Sequence, residues 1–273
     1  MARLRPITLA SVILVAASMD HLNTVGADKL SFIYTARVMS QSYPWIAQEA
    51  GLFKKHDLEV PLIFVTADAQ RTMQTFLGAT TQLGPEDLNM DYITSAKVLY
   101  LEGYLWDQPR AKNAMREAAI KAKDAGGKVS LTLSDAFCVD RYRDEFLELA
   151  EKYVDILFAN ESEILSLYQA NQFDDALQQV RTHCEIAALT RSEKGSVVVN
   201  GHEVHVIDAE KGVTVVDTTG AGDAYAAGFL YAYTQGYDLA TCGKLGGIMA
   251  AEVISHFGPR PEADVKALAG RVL

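Results

Sequence analysis

Segments typical of β-strands alternate with segments typical of α-helices along most of this chain. Predicted strands occupy Leu30–Tyr34, Leu58–Val65, Val98–Leu105, Val129–Leu133, Ile156–Phe158 and Ile186–Thr190, followed by a hairpin of Val197–Val199 and Val204–Ile207. Predicted helices occupy Tyr43–Lys55, Pro109–Ala125, Arg141–Tyr153, Phe173–His183, Gly222–Tyr233 and Leu239–His256. This order predicts an α/β fold of three layers, αβα, in which helices cover both faces of a mainly parallel sheet.

Charge and composition narrow the class of protein. The chain has 273 residues, 49% of them hydrophobic, which suffices for one large α/β domain or two small ones. Its formal net charge of −10 argues against a nucleic-acid partner, because nucleic acids are bound mainly through Lys and Arg. Cys138, Cys184 and Cys242 are odd in number and far apart. We therefore expect free thiols rather than a disulfide framework or a zinc site.

The first 27 residues have the pattern of a secretory signal peptide. Arg3 and Arg5 precede an apolar run from Ile7 to Ala17, and Val25–Ala27 offers small residues for cleavage. An apolar N-terminal helix that is not cleaved is the alternative. The run is too short to span a bilayer comfortably, so no stable membrane span is expected.

One seven-residue stretch, Asp217-Thr218-Thr219-Gly220-Ala221-Gly222-Asp223, carries the strongest functional signal. We interpret it as a strand (Val213–Val216), a tight glycine turn, and a helix that begins near Asp223. The glycines let the backbone approach a ligand, and the helix N-terminus favours an anion such as a phosphate. Asp223 at its edge could take a proton from an attacking hydroxyl. The alternative is an ordinary strand-to-helix turn with an Asp cap.

This stretch resembles the second signature of the PfkB, or ribokinase-like, carbohydrate and nucleoside kinases. The resemblance covers about residues 65–273 and is closest to adenosine kinase-like members. It implies that Gly220, Ala221 and Gly222 form an anion hole for the transferring phosphoryl group. It also implies that Asp223 is the catalytic base.

Asn160-Glu161-Ser162-Glu163 follows a predicted strand and resembles the NxxE motif of that family. By the resemblance, Asn160 and Glu163 lie near Mg²⁺, which prefers oxygen ligands and keeps several waters. The same spacing also predicts a helix cap, with Asn160 at the N-cap and Glu163 three residues later. Both interpretations can hold together.

Thr190-Arg191-Ser192-Glu193-Lys194-Gly195-Ser196 resembles the TxGxxG nucleotide loop of the family, with Ser192 where Gly is usual. Thr190, Ser192 and Gly195 are therefore expected to contact the nucleotide. The alternative is a polar turn before the predicted hairpin.

Four further residues receive roles from the resemblance alone. Asp217 and Thr219 match positions that bind a monovalent cation, K⁺, in some members. Arg71 and Glu102 stand at strand ends where the family places contacts to the acceptor. Both of these could equally be surface charges.

The N-terminal part of the sequence resembles a different family. Ser42–His56 resembles the opening βαβ unit of periplasmic substrate-binding proteins of the nitrate, sulfonate, taurine and thiamine-precursor group. We therefore expect three parts: a signal-like segment at 1–27, a foreign βαβ fragment at 28–64, and a kinase domain at 65–273. The kinase domain is expected to lack its N-terminal third, which carries acceptor contacts and the lid.

The resemblance implies ATP-dependent phosphotransfer to an alcohol group of a sugar or nucleoside, with Mg²⁺ and, in some members, K⁺. Truncation could have removed the activity. The alternatives are a fragmentary periplasmic solute-binding protein or a gene fusion without function. ATP chemistry implies the cytoplasm, whereas the N-terminus suggests export, and the missing lid leaves dimerisation open.

Overall fold

A computed structural model describes residues 78–273 of the chain and, before them, five short strands. Contacts divide the chain into two compact units, Met1–Phe76 and Leu77–Leu273. The predicted helix Tyr43–Lys55 and the signal-like segment lie outside the described residues.

The first unit contains parallel pairs of strands. β1 (Asp28–Lys29) pairs with β3 (Leu58–Glu59), and β2 (Phe32–Tyr34) pairs with β4 (Leu62–Val65). β4 also pairs antiparallel with β5 (Arg71–Gln74). The connections between these parallel strands lie outside the described residues, so the βαβ fragment at 28–64 stays a prediction.

The second unit is built on a six-stranded sheet. In sequence order its strands are β6 (Val98–Glu102), β7 (Lys128–Thr132), β8 (Ile156–Asn160), β9 (Ile186–Thr190), β10 (Ser196–Asn200) and β11 (Glu203–Ile207). They lie in the same order across the sheet, from β6 at one edge to β11 at the other. β6 to β9 are parallel, whereas β10 and β11 pair antiparallel as a hairpin. The predicted mainly parallel sheet is therefore confirmed.

Eight α-helices belong to the described part of this unit. They are α1 (Met90–Ser95), α2 (Pro109–Asp124), α3 (Ala136–Lys152), α4 (Glu161–Tyr168), α5 (Phe173–Val180), α6 (Ala221–Thr234), α7 (Leu239–Val253) and α8 (Val265–Ala269). Side-chain caps start several of them: Asp135 accepts from the N–H of Phe137 before α3, and Asp238 accepts from the N–H of Thr241 in α7. Within the described residues, no helix is long and apolar enough to cross a bilayer.

Side chains of the central strands alternate between two cores. On β8, Leu157 and Ala159 join the core beneath α2, α3, α4 and α5. Their neighbours Ile156 and Phe158 join the core beneath α6 and α7. Burial on both faces is typical of parallel strands, and it produces the three layers expected from the sequence.

Two sequence predictions need correction. Val213–Val216 is not a strand: the segment has no sheet partner, and the Val216 N–H donates to the carbonyl of Ile254 at 2.8 Å. Its β-branched residues raise strand propensity, but a strand also requires a free edge to pair with. The predicted strand from Val98 ends at Glu102, where a 3₁₀-helix (Gly103–Asp107) begins.

Candidate active site

The carboxyl ends of β6 to β9 lie along one side of the sheet, which we call the carboxyl edge. Predicted polar residues of this unit lie at these strand ends. Glu102 on β6 is the register partner of Thr132 on β7. Asn160 on β8 is the register partner of Thr190 on β9. Open α/β sheets bind ligands at this edge.

The glycine turn leads directly into α6. Gly220 is the N-cap of the helix in the left-handed region, with φ 76°. A β-carbon at this position would stand 2.5 Å from the Cβ of Pro259, so a side chain fits neither the conformation nor the space. At Gly222 a β-carbon would meet nothing within 4 Å, which leaves open space over the first turn of α6. Asp223 is the exposed third residue of that turn.

Asp217 is buried and shapes the turn before the helix. Its Oδ1 accepts hydrogen bonds from the N–H of Thr219 at 2.9 Å and from the hydroxyl of Thr219 at 2.6 Å. Its Oδ2 accepts from the N–H of Gly258 at 3.0 Å. Both carboxylate oxygens therefore hold backbone in place, and the cation role of Asp217 and Thr219 stays a prediction.

Asn160 and Glu163 form the capping box of α4. The Asn160 side chain accepts from the N–H of Glu163 at 2.9 Å, and Glu163 accepts from the backbone N–H of Asn160 at 2.9 Å. The Asn160 amide also donates to Glu163 at 2.6 Å. The capping interpretation of this motif is thus present in the structure, while the Mg²⁺ role stays a prediction. Among the described residues, no group of three or more His, Cys, Asp or Glu could hold a metal.

The predicted nucleotide loop joins β9 to β10, and two of its residues have positive φ angles. Ser192 lies in the left-handed region with φ 53°, which explains why Gly is favoured at this position. Gly195 has φ 79°, and a β-carbon there would overlap the carbonyl oxygen of Ile207. Gly195 is therefore required for packing against the end of β11, whatever its role toward a nucleotide.

Arg191 anchors the same loop to the start of α4. Its guanidinium donates to Glu161 through two nitrogens at 3.0 and 3.2 Å. It also lies over the ring of Phe173, 3.8 Å from the centroid. The loop is thus attached to its surroundings by a two-point ion pair and a cation–π contact.

A buried hydrogen bond links the loop to the glycine turn. The Tyr225 hydroxyl, one turn into α6, donates to the hydroxyl of Ser196 at 2.9 Å. Ser196 is the register partner of Thr190. The first turn of α6 and the end of β9 are therefore held close together.

Glu102 is a half-buried acid at this edge. Burial raises its pKa above the ordinary value, and the nearby Asp223 raises it further, whereas hydrogen bonds from the Ser134 hydroxyl and the Tyr104 N–H oppose the shift. Glu102 and Asp223 therefore lie close enough to interact electrostatically. Arg71, the other predicted acceptor contact, begins β5 in the first unit.

Sequence reasoning missed two aromatic residues at this edge. Tyr100 lies two residues before Glu102 on the same face of β6. Burial raises its pKa, and the negative charges of Glu102 and Asp223 add to the shift. Phe137, near the start of α3, exposes 78% of its surface. The two-residue spacing from Glu102 could have indicated Tyr100, whereas nothing in the sequence separates Phe137 from core aromatics.

An open pocket lies elsewhere in the second unit. It measures about 540 Å³ and is lined by Lys97, Val98, Tyr231 and neighbouring residues at the amino end of β6. The carboxyl edge of the sheet is marked by its convergent polar groups and its glycine turn.

Known proteins identify the family. A family model of pfkB family carbohydrate kinases matches residues 54–265. The crystal structure of adenosine kinase from Sinorhizobium meliloti is 43% identical, with a TM-score of 0.76 over 91% of this chain and 79% of that chain. A probable sugar kinase from Rhizobium etli is 43% identical, with a TM-score of 0.75 over 90% of this chain and 77% of that chain.

A curated relative agrees with the solved structures. Adenosine kinase from Saccharomyces cerevisiae is 27% identical over 92% of this chain and 76% of its own length. The ribokinase-like fold and the kinase family expected from the sequence are confirmed. The chain belongs to the pfkB family of carbohydrate kinases, and it is by family an ATP-using phosphotransferase whose acceptor is an alcohol group of a sugar or nucleoside.

Proposed function

We propose that the chain is a nucleoside kinase of the adenosine kinase type, which transfers the γ-phosphoryl group of ATP to a ribose hydroxyl. The observation that carries this proposal is the glycine turn at the start of α6, with Asp223 beside Glu102 at the carboxyl edge of the sheet. The similarity to two adenosine kinases supports the nucleoside as acceptor.

In this proposal Asp223 takes the proton of the acceptor hydroxyl. The hydroxyl oxygen forms a bond to the γ-phosphorus, the bond from that phosphorus to the bridging oxygen breaks, and ADP leaves. The N–H groups of Gly220, Ala221 and Gly222 stabilise the negative charge on the transferring group. The open space at Gly222 and the dipole of α6 suit an anion in this position.

The nucleotide half of the site comprises Thr190, Ser192 and Gly195. Loop backbone in such conformations presents N–H groups that suit phosphate oxygens. Asn160 and Glu163 suit Mg²⁺ held through water, because the hydrogen bonds of the capping box already engage both Glu163 oxygens. Bound Mg²⁺ would neutralise phosphate charge. K⁺ near Asp217 and Thr219 is the remaining cofactor of the proposal.

The acceptor half in the second unit comprises Glu102, Tyr100 and Phe137, and the acceptor role of Arg71 in β5 stays a prediction. An exposed aromatic ring at a ligand-binding edge suits stacking on a base, which contributes about 1–3 kcal/mol where it has been measured. A free sugar offers no such π-face. Phe137 thus favours a nucleoside over a simple sugar, and ATP use favours the cytoplasm as the compartment.

An acceptor panel tests this proposal. ADP release by the purified chain is followed with adenosine, other nucleosides and ribose at equal concentrations. We expect turnover with at least one nucleoside and much less with ribose. Phe137→Ala should raise the KM for the nucleoside, whereas Tyr92→Ala, at a similarly exposed aromatic residue on α1, should not. Turnover of ribose alone, or of no acceptor, would contradict the proposal.

The fragmentary solute-binding protein is the weaker alternative. The kinase family model covers more than three quarters of the chain, whereas the solute-binding resemblance rests on residues that lie mostly outside the described part. The division at 27 and 64 stays a prediction. Binding of a periplasmic solute such as taurine, without any ATP turnover, would favour that alternative.

A further inference from the structure

The segment after α7 closes over the back of the glycine turn. We name residues 254–263 the closing segment. The carbonyl of Ile254 accepts from the N–H of Val216 at 2.8 Å. The N–H of Gly258 donates to Asp217 at 3.0 Å. Pro259 fills the space where a side chain at Gly220 would stand. The path of the turn therefore depends on where the closing segment lies.

Glu252, near the end of α7, holds the far end of the closing segment. Its Oε1 accepts from the N–H of Glu262 at 2.8 Å and from the N–H of Ala263 at 2.9 Å. The Nε2 of His256 lies 3.3 Å from the same oxygen. Hydrogen bonds to a carboxylate are about twice as strong as neutral ones. The Glu252 side chain thus contacts both ends of the closing segment. The middle of that segment contacts the glycine turn.

The second oxygen of Glu252 has an unusual environment. Oε2 is buried and has no hydrogen-bond partner within the described part of the chain, and the side chain is only 9% exposed. Burial of an unbonded carboxylate oxygen costs free energy that a smaller apolar residue would avoid. The carboxylate is therefore better explained by where it places the closing segment than by the stability it adds.

We propose that Glu252 is a positioning residue for phosphoryl transfer, which acts through the closing segment on the Asp217 and Gly220 backbone. This inference rests on the proposed function, because it takes the turn as the site of the transferring phosphoryl group. Donors that stabilise a transition state must be placed before the reaction begins. A shift of about 1 Å far from the chemistry can lower the rate about 10²-fold.

Kinetics of two variants test this role. Glu252→Ala removes both hydrogen bonds to the closing segment, and Glu252→Gln keeps an accepting oxygen but loses the charge. We expect kcat to fall about 10²-fold in the alanine variant and less in the glutamine variant, while the KM for the acceptor changes little. Glu151→Ala is the matched control, because Glu151 also lies near the end of a helix, α3, and pairs with a histidine, His183, away from the turn and the closing segment. An unchanged kcat in Glu252→Ala would overturn the proposal.

Hydrogen–deuterium exchange provides a readout that needs no activity. We expect faster exchange in peptides covering residues 216–223 of both Glu252 variants, with the strands β7 to β9 unchanged. Faster exchange confined to residues 252–263, or spread evenly over the strands, would overturn the positioning role. If no acceptor is phosphorylated, the proposed function fails while the exchange experiment still decides whether Glu252 positions the turn.

Discussion

The two ligand-binding loops of the site are held in different ways. The glycine turn is held by buried hydrogen bonds of Asp217 and by direct contact of Gly220 with Pro259. The nucleotide loop has one buried hydrogen bond, from Tyr225 to Ser196 at its end. Its middle is held by the partly exposed ion pair of Arg191 with Glu161 and by the contact of Arg191 with Phe173. Partly exposed ion pairs contribute little to stability and are screened by salt, whereas buried hydrogen bonds to a carboxylate fix geometry.

This difference matches what each loop is proposed to do. Transition-state stabilisation needs donors fixed in advance, so rigidity belongs at the turn that receives the phosphoryl group. A loop that only holds a nucleotide can adapt as the ligand arrives. The same type of substitution in the two loops should therefore have different consequences.

The largest expected effect comes from Gly220→Ala. The left-handed backbone and the contact with Pro259 would force the turn to move. We expect kcat to fall by at least about 10²-fold, with the KM for ATP much less affected. Measurement of both parameters for the variant checks this, and a kcat close to wild type would show that the turn tolerates displacement.

The comparison is sharpened by Gly195→Ala in the nucleotide loop. A methyl group there overlaps the Ile207 carbonyl in a left-handed residue, so we expect destabilisation of about 2–4 kcal/mol. Denaturant unfolding measures it. Among molecules that remain folded, the KM for ATP should rise more than kcat falls. Loss of kcat alone would mean that the two loops do not differ as described.

The sequence predicted the turn well because its chemistry is local. Glycines and an acid at a helix start act within seven residues, and the strand ends of Asn160 and Thr190 follow from the order of elements. The contact between Gly220 and Pro259 could not be predicted, because it joins residues brought together only by the packing of α7. The prediction of a strand at Val213–Val216 was wrong for the same reason. This segment pairs with the end of the helix α7 and not with another strand.

A smaller effect is expected from Glu102→Gln, which should raise the stability of the fold and lower its activity. The fold raises the pKa of this acid, so its protonated form is favoured. Its contribution to stability is therefore most favourable below the ordinary pKa of about 4.3 and is lost as the pH rises through the raised value. Glu102→Gln mimics the protonated form.

We expect Glu102→Gln to raise the melting temperature at neutral pH and to have little effect near pH 4. Acceptor turnover should fall at every pH, because the carboxylate is lost from the acceptor half. Melting curves across this pH range check the stability part. A variant that is less stable than wild type at neutral pH would contradict the raised pKa.

The smallest expected effect is a gain in stability from Ser192→Gly. Ser192 adopts φ 53°, which costs a residue with a side chain about 1 kcal/mol relative to glycine. Part of this gain is lost because glycine is more flexible in the unfolded chain. Thermal unfolding measures the net result, and the KM for ATP should stay within a few-fold of wild type. A clear loss of stability would show that the Ser192 side chain stabilises the loop.

The most direct measurement of the central claim is turnover and ATP affinity of Asp223→Asn beside Asp175→Asn. Asp175 is also an exposed third residue of a helix, α5, but it lies outside the site. We predict that Asp223→Asn lowers kcat about 10²–10⁴-fold with ATP affinity nearly unchanged, while Asp175→Asn retains wild-type turnover. Robust turnover in Asp223→Asn, or an equal loss in both variants, would contradict the assignment of Asp223 as the base.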